Sequence, residues 1–282
     1  MEGKGVLQVL AKRYRGLYLP VAEGMSRSQA YKEYVLQGKG SEGTLADFYG
    51  DTQDEIVDFY TPEGSVEVIC LEKRVDFELF LQKIAYRCEP VQIRPDVGAM
   101  MISGVINWDK LDSHRREWEM QGRDGWAEEF RRFTADPENF KDRVLVLSVG
   151  PYSNYPPEKA GYSGASWNRI SRNIRMYHEC CHYVCRRRWP KNTHIVFDEV
   201  LADAVGLLGA LGHYDTRLAR GFLGISPDGA YEGGRLSAYV PCSEILQASK
   251  MAHEWINQIA MLSEENQGLD PFDILDKVIM DL

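Results

Sequence analysis

His178-Glu179-Cys180-Cys181-His182 forms one H-E-x-x-H string, inside a stretch with the apolar spacing of a helix. Side chains four apart stack on one helical face, so both imidazoles can reach a single metal ion. Glu179 then sits beside them and off their line, where a carboxylate can hold a water rather than the metal. Two ligands do not complete a catalytic zinc site. Farther along, Asp198-Glu199-Val200-Leu201-Ala202-Asp203 opens a second helix-like stretch, with Glu199 and Asp203 again four apart. One of these can be the third ligand and the other the hydrogen-bond partner of a ligating histidine. The expectation is a zinc hydrolase.

Two helices must position these groups. From Trp167 to about Arg188, Trp167, Ile170, Ile174, Cys181 and Cys185 recur at threes and fours, and Pro190 is the expected stop. The second helix, 198–212, is apolar enough to be deeply packed, and Gly206, Gly209 and Gly212 would let another backbone approach it. Burying Glu199 and Asp203 there unpaired would be costly, and a metal with its histidine compensates. Ahead of the first helix, 150–166 is a Gly/Pro/Tyr/Ser-rich loop of the kind that lines a site. It follows the clearest strand, 144–149.

Upstream, 6–17, 26–37 and 76–86 read as helical, and 112–133 as one or two charged surface helices. Strands are expected at 66–71 and, buried, within 99–106. Downstream, 218–239 reads as loop-rich, while 243–262 and 271–282 read as helical. The chain is thus expected to be α+β, with no internal repeat. A mixed α/β part with a small sheet, 1–190, carries the histidine helix, and a mostly helical part, 191–282, carries the third ligand. Together, 1–282 make one catalytic unit.

His178-Glu179-x-x-His182 followed by Glu199-x-x-x-Asp203 resembles the gluzincin zinc metallopeptidases, the thermolysin-like clan. The resemblance covers about residues 167–212 and implies a zincin-like fold with Zn²⁺ as cofactor. It implies that His178, His182 and Glu199 bind zinc, that Glu179 is the general base and that Asp203 orients His178. The choice of third ligand among Asp198, Glu199 and Asp203 stays open. The implied target is a peptide bond in a peptide or protein, with an extended substrate pairing to an edge strand, 144–149 or 99–106.

His178, Cys181, His182 and Cys185 project within a narrow arc, which suggests a structural Cys/His zinc site instead. Zinc bonds limit two ligand atoms to under about 5 Å apart. Seven residues of helix span about 10.5 Å, so His178 and Cys185 cannot readily share an ion. The cysteines are more simply small apolar fillers. A nucleophilic Cys180 or Cys181 would leave the acidic pair unexplained. His213 and Tyr214 are candidate transition-state stabilisers, with Tyr231 and Tyr239 equally open. His194 would cap the turn before Asp198, and His114 and His253 read as surface histidines.

Composition excludes several classes. A net charge of −9 and a pI near 5.3 argue against nucleic acid as a partner. No apolar run approaches a membrane span and no signal-peptide core is evident, so a cytoplasmic setting is expected, with the six cysteines reduced. Arg186-Arg187-Arg188 suits the C-terminal end of a helix. The alternative to an enzyme is a zincin-like binding or regulatory protein without turnover. Intact Glu179 favours turnover.

Overall fold

The computed structural model describes residues 4–40, 43–189, 194–266, 268 and 270–280, so the expected stop at Pro190 lies outside the described residues. In chain order the elements are α1 (Gly5–Arg13), α2 (Gln29–Tyr31), β1 (Glu55–Thr61), β2 (Gly64–Leu71), α3 (Arg74–Ile84) and β3 (Ala99–Ile106). There follow α4 (Trp108–Met120), α5 (Trp126–Phe133), β4 (Lys141–Ser148) and the short α6 (Pro157–Ala160). The rest is helical: α7 (Gly164–Arg188), α8 (Ile195–Leu211), α9 (Thr216–Leu223), α10 (Ile245–Glu265) and α11 (Asp273–Met280). This is a mixed α+β chain. Its contacts divide it into two units, residues 1–58 with 67–148 and residues 59–66 with 149–282. The division falls at 148/149 rather than at the expected 190/191, so the two site helices belong to the same unit.

The sheet order is β1-β2-β4-β3, with β3, β4 and residues 67–71 of β2 in the first unit and the hairpin end of β1 and β2, residues 59–66, grouped with the second. β2 runs parallel to β4, with Ile69 opposite Val146, and β3 runs antiparallel to β4, with Ile102 opposite Val144. The expected strands at 66–71 and 99–106 are there, and β1 was not foreseen, its apolar residues being interrupted by Asp58. β4 is flanked on both sides, which corrects the expectation that 144–149 could offer a free edge. Its run Val144, Leu145, Val146 and Leu147 is fully buried, as a strand covered on both faces should be. β3, expected to be buried, is instead a half-exposed edge strand. The core gathers Leu7 and Leu10 of α1, Phe77 and Phe80 of α3, and Ile69 and Val146 of the sheet.

The second unit is built on α7 packed along α8. Ser163 opens α7, its hydroxyl accepting from the Ser166 amide. Gly206 and Gly209 allow the close approach. A Cβ on Gly206 would stand 3.0 Å from the Ile174 carbonyl oxygen, and one on Gly209 would overlap the Tyr177 ring. Gly212 does something else: at φ 76° it ends α8 in the left-handed conformation that glycine adopts freely. His194 caps α8 as expected, its Nδ1 accepting from the Val196 amide. α10 packs on α8 and α9. The amphipathic α9 lies where a loop was expected, its buried face being Leu218, Ala219, Phe222 and Leu223. No helix among the described residues is long and apolar enough to cross a membrane.

Candidate metal centre

One face of α7 carries Ser171, Arg175, His178 and His182, all buried. The upper two hold the preceding loop in place. Ser171 Oγ accepts from the Tyr152 amide at 2.9 Å, and the Arg175 guanidinium donates to the Gly150 and Pro151 carbonyls at 2.8 and 2.7 Å. Tyr152 is thereby set over the next turn of the helix, and its hydroxyl reaches both His178 Nδ1, at 2.8 Å, and Asp203 Oδ1, at 2.6 Å. Ser153 and Asn154 adopt φ of 52° and 53°, uncommon for side chains other than glycine. Such local strain collects at functional sites.

The lower two residues meet the acidic helix. His178 Nε2 and His182 Nε2 stand 3.1 Å apart, and Glu199 of α8 brings Oε2 to 3.5 Å of the first and Oε1 to 3.5 Å of the second. Tetrahedral zinc with bonds of about 2.0–2.1 Å places its ligand atoms about 3.3–3.4 Å apart. The two nitrogens are close to that spacing, and one oxygen of the carboxylate stands near it from each ring, with one ligand atom from each residue within 4.8 Å of the others. Among the described residues they form a group able to hold a metal ion. Glu199 Oε2 is buried without a hydrogen-bond partner. That oxygen lies 3.5 Å from His178 Nε2 and 3.9 Å from Arg235 Nη2, while Oε1 turns to His182. A buried carboxylate oxygen without a hydrogen bond is costly, and a divalent cation would satisfy it together with the two imidazole nitrogens. Asp198 and Asp203 are placed instead against the Nδ1 atoms of His182 and His178.

Those two carboxylates lie behind the histidines. Asp203 Oδ1 is 3.0 Å from His178 Nδ1, and Asp198 Oδ2 is 3.0 Å from His182 Nδ1, an ion-pair distance without hydrogen-bond alignment. If Nε2 faces a metal, Nδ1 carries the proton and points at its carboxylate, the arrangement that fixes tautomer and ring orientation. Burial alone would raise the Asp203 pKa, yet the Arg235 charge and the His178 bond outweigh it and hold the carboxyl down at about 2. Burial pulls His182 down, but Asp198, Glu199 and Glu179 prevail and lift it to about 9.

Arg235 is the residue that sequence reasoning missed. It begins a short 3₁₀ turn, Arg235–Ala238, anchored by the fully buried Leu236. Nη2 donates to Asp203 Oδ2 at 2.5 Å, and Nη1 donates to the Tyr152 hydroxyl at 2.7 Å and to Ser153 Oγ at 2.9 Å. Its guanidinium also lies over the Tyr152 and Tyr239 rings. No motif surrounds Arg235 in the sequence, and it arrives from far along the chain. Tyr152 had a weak signal, its place in the loop expected to line a site.

Glu179 is half-buried, one residue round the helix from the ligand line, and its charge is felt at His182. Tyr239, left open with three others, lies beneath the Arg235 guanidinium, and burial pushes its phenol pKa up. The others are elsewhere engaged or unpaired. His213 is exposed with Nδ1 on the Leu211 carbonyl, Tyr231 bonds to Gly234, and the buried Tyr214 hydroxyl has no partner. Cys180 and Cys181 are buried fillers, and burial pushes the Cys180 thiol up to about 12 and the Cys181 thiol well above its ordinary value. Neither is poised as a thiolate nucleophile. His114 is not simply a surface group, since it bonds Glu129 at 2.6 Å and stacks on Phe133. Arg188, in the basic run, pairs with Glu63 and Asp276.

His178, His182 and Glu199, with a carboxylate behind each imidazole and Arg235 clamping Asp203, form one connected buried cluster. No curated protein and no solved structure matches the chain. A family model does match, over residues 1–273, so this arrangement sits in a chain that belongs to the Family of unknown function DUF7005.

Proposed function

We propose that this protein is a zinc-dependent hydrolase, a metallopeptidase with a zincin-like centre. The observation that carries the reading is the spacing of His178 Nε2, His182 Nε2 and the Glu199 carboxylate, 3.1 and 3.5 Å, with a carboxylate behind each imidazole. Two imidazoles and one carboxylate are a donor set of catalytic rather than structural zinc sites. When bound there, zinc lowers the pKa of a water toward neutrality and polarises a carbonyl. Glu179 accepts the proton as the water attacks and delivers it to the departing amine. Asp203 and Asp198 keep His178 and His182 in the tautomer that presents Nε2, and Arg235 with Tyr152 holds Asp203 ionised and in place. A peptide bond as target rests on the resemblance of His178-Glu179-x-x-His182 and Glu199-x-x-x-Asp203 to the gluzincins.

Metal analysis of the purified protein, followed by digestion of a peptide library, tests this. We expect one zinc per chain, lost in His178→Ala and in His182→Ala. Glu179→Gln should retain the metal and the fold while hydrolysis falls by about 10²–10⁴-fold, the usual contribution of a general base. Stoichiometric zinc in both histidine variants, or full activity in Glu179→Gln, would overturn the reading. So would loss of activity in Cys180→Ala or Cys181→Ala with zinc still bound, which would point to a thiol.

A further inference from the structure

A second site is suggested in the first unit, and it is independent of the metal reading. A cavity of about 370 Å³ opens there, within the size range of small-molecule sites. Its charged lining residues are Arg15, Arg87, Lys83 and Lys141, and no carboxylate lines it. In a chain of net charge −9, a cavity lined by cations alone stands out.

Two of these cations are already engaged. Arg15 pairs with Asp112 at 2.9 Å, and buried Lys83 bonds the Leu17 carbonyl and Asp47. The other two have no carboxylate partner among the described residues. Arg87 is exposed, and Lys141 meets only the Phe140 ring, at 5.3 Å. The Tyr31 phenol adds a donor, its proton held by burial. The rest of the wall is mostly apolar, with Leu36, Ile84 and Ile102 among it and Ser26 and Ser103 beside them.

Three departures from regular backbone fall on this one wall. Arg87 and Cys88 hold φ of 55° and 64°, a costly pair for residues other than glycine. Cys88 is locked there, its thiol against the Gly16 and Lys83 carbonyls. β3 shifts register between Ser103 and Val105, with Gly104 at φ 78°. A π-helical turn, Lys32–Leu36, supplies Val35 and Leu36. Bulges and π-turns re-aim side chains and gather beside binding sites.

We propose that this cavity binds a small organic anion, a carboxylate or phosphate carried on a short apolar body, with Arg87 and Lys141 taking the charged group. The guanidinium offers paired donors to either oxyanion and the ammonium a point charge. The apolar wall would take the body of the ligand.

The test is calorimetric titration of the full chain, stripped of metal with a chelator so that an anion cannot be held at the histidine site. The probes are hexanoate and hexyl phosphate, with hexylamine and hexanol as the cationic and neutral counterparts. We expect one saturable site for at least one anion, the stronger of the two identifying the headgroup, and none for hexylamine or hexanol. In the Arg87→Asn, Lys141→Gln double variant we expect affinity to drop at least about tenfold, the scale of losing charge-assisted bonds. Asn tolerates the left-handed backbone at 87, so the fold should survive, as an unchanged melting temperature would verify. His182→Ala should bind the anion normally, so failure of the metal reading leaves this one standing. Equal binding of hexanol, unchanged affinity in the double variant, or no saturable binding of either anion overturns it.

Discussion

Asp198 and Asp203 stand behind the two histidines in the same way, but they are not equivalent. Asp203 is almost fully buried and receives Tyr152, His178 and Arg235, whereas Asp198 is a quarter exposed and poorly aligned. Asp203→Asn should therefore weaken metal affinity by about 10–100-fold, and Asp198→Asn by less. Competition with a chromogenic chelator measures both. Glu199→Ala should strip the metal as fully as loss of a histidine, and an equal effect of Asp198→Asn would move the third ligand to that residue.

His182 supplies a pH prediction whose sign follows from its direction. In the metal-free fold its pKa is raised from 6.5 to about 9, first burial opposing and then Asp198 and Glu199 prevailing. A raised folded pKa gives stability that is complete below the unfolded value and is lost as pH climbs through the folded one. Chelator-treated protein should thus lose stability between pH 6.5 and 9, by at most about 1.4 kcal/mol per unit. A metal needs the deprotonated ring, so its stabilising effect should grow across the same window. Thermal melts with and without zinc at several pH values read both trends, and a stability rising with pH in chelator would contradict the assigned environment.

At the scale of elements, the α7–α8 pair decides whether the site exists at all. Two glycines of α8 bring the helix axes close enough for Glu199 to face both imidazoles. Gly209→Ala would drive a methyl into the Tyr177 ring, and we expect a loss of about 1–3 kcal/mol in urea denaturation, the range for overpacking. Gly212→Ala, strained at φ 76° but facing open space, should cost about 1 kcal/mol and leave the metal bound. A Gly209→Ala protein as stable as the parent would mean the helices pack otherwise. The loop from Gly150 is equally an element-level device. Arg175 and Ser171 tie it to α7, so Arg175→Met should free Tyr152 and lower metal affinity without touching a ligand.

At the scale of the whole molecule, each of the two units has its own buried residues, and the three residues able to hold a metal ion all lie in the second. A bound ion adds free energy to the state that binds it, about 4 kcal/mol at a thousandfold excess over the dissociation constant. Hydrogen exchange should show that addition as slowed amides in α7 and α8, with much smaller changes in β2 and β4. Equal protection of the sheet and the helices would show that the chain opens as one cooperative body.

The sequence by itself determined which histidines and which acidic residues share a helix face. His178 and His182 share a face because a helix repeats every 3.6 residues, and Glu199 and Asp203 share another for the same reason, so both pairs were legible before any packing was known. The long runs were legible too, since apolar periodicity over twenty residues or a string such as Val144-Leu145-Val146-Leu147 leaves little choice. Short or interrupted segments without such a run were not: α9 reads as loop because eight residues make barely two helical turns, and β1 as nothing because Asp58 interrupts its apolar residues. Only tertiary structure could choose among Asp198, Glu199 and Asp203, because the approach of α8 to α7 decides which carboxylate faces Nε2 and which two face Nδ1. Arg235 and Tyr152 lay equally beyond the sequence. Their contacts with Asp203 join segments with no shared periodicity, and only folding turns such distance in sequence into hydrogen bonds.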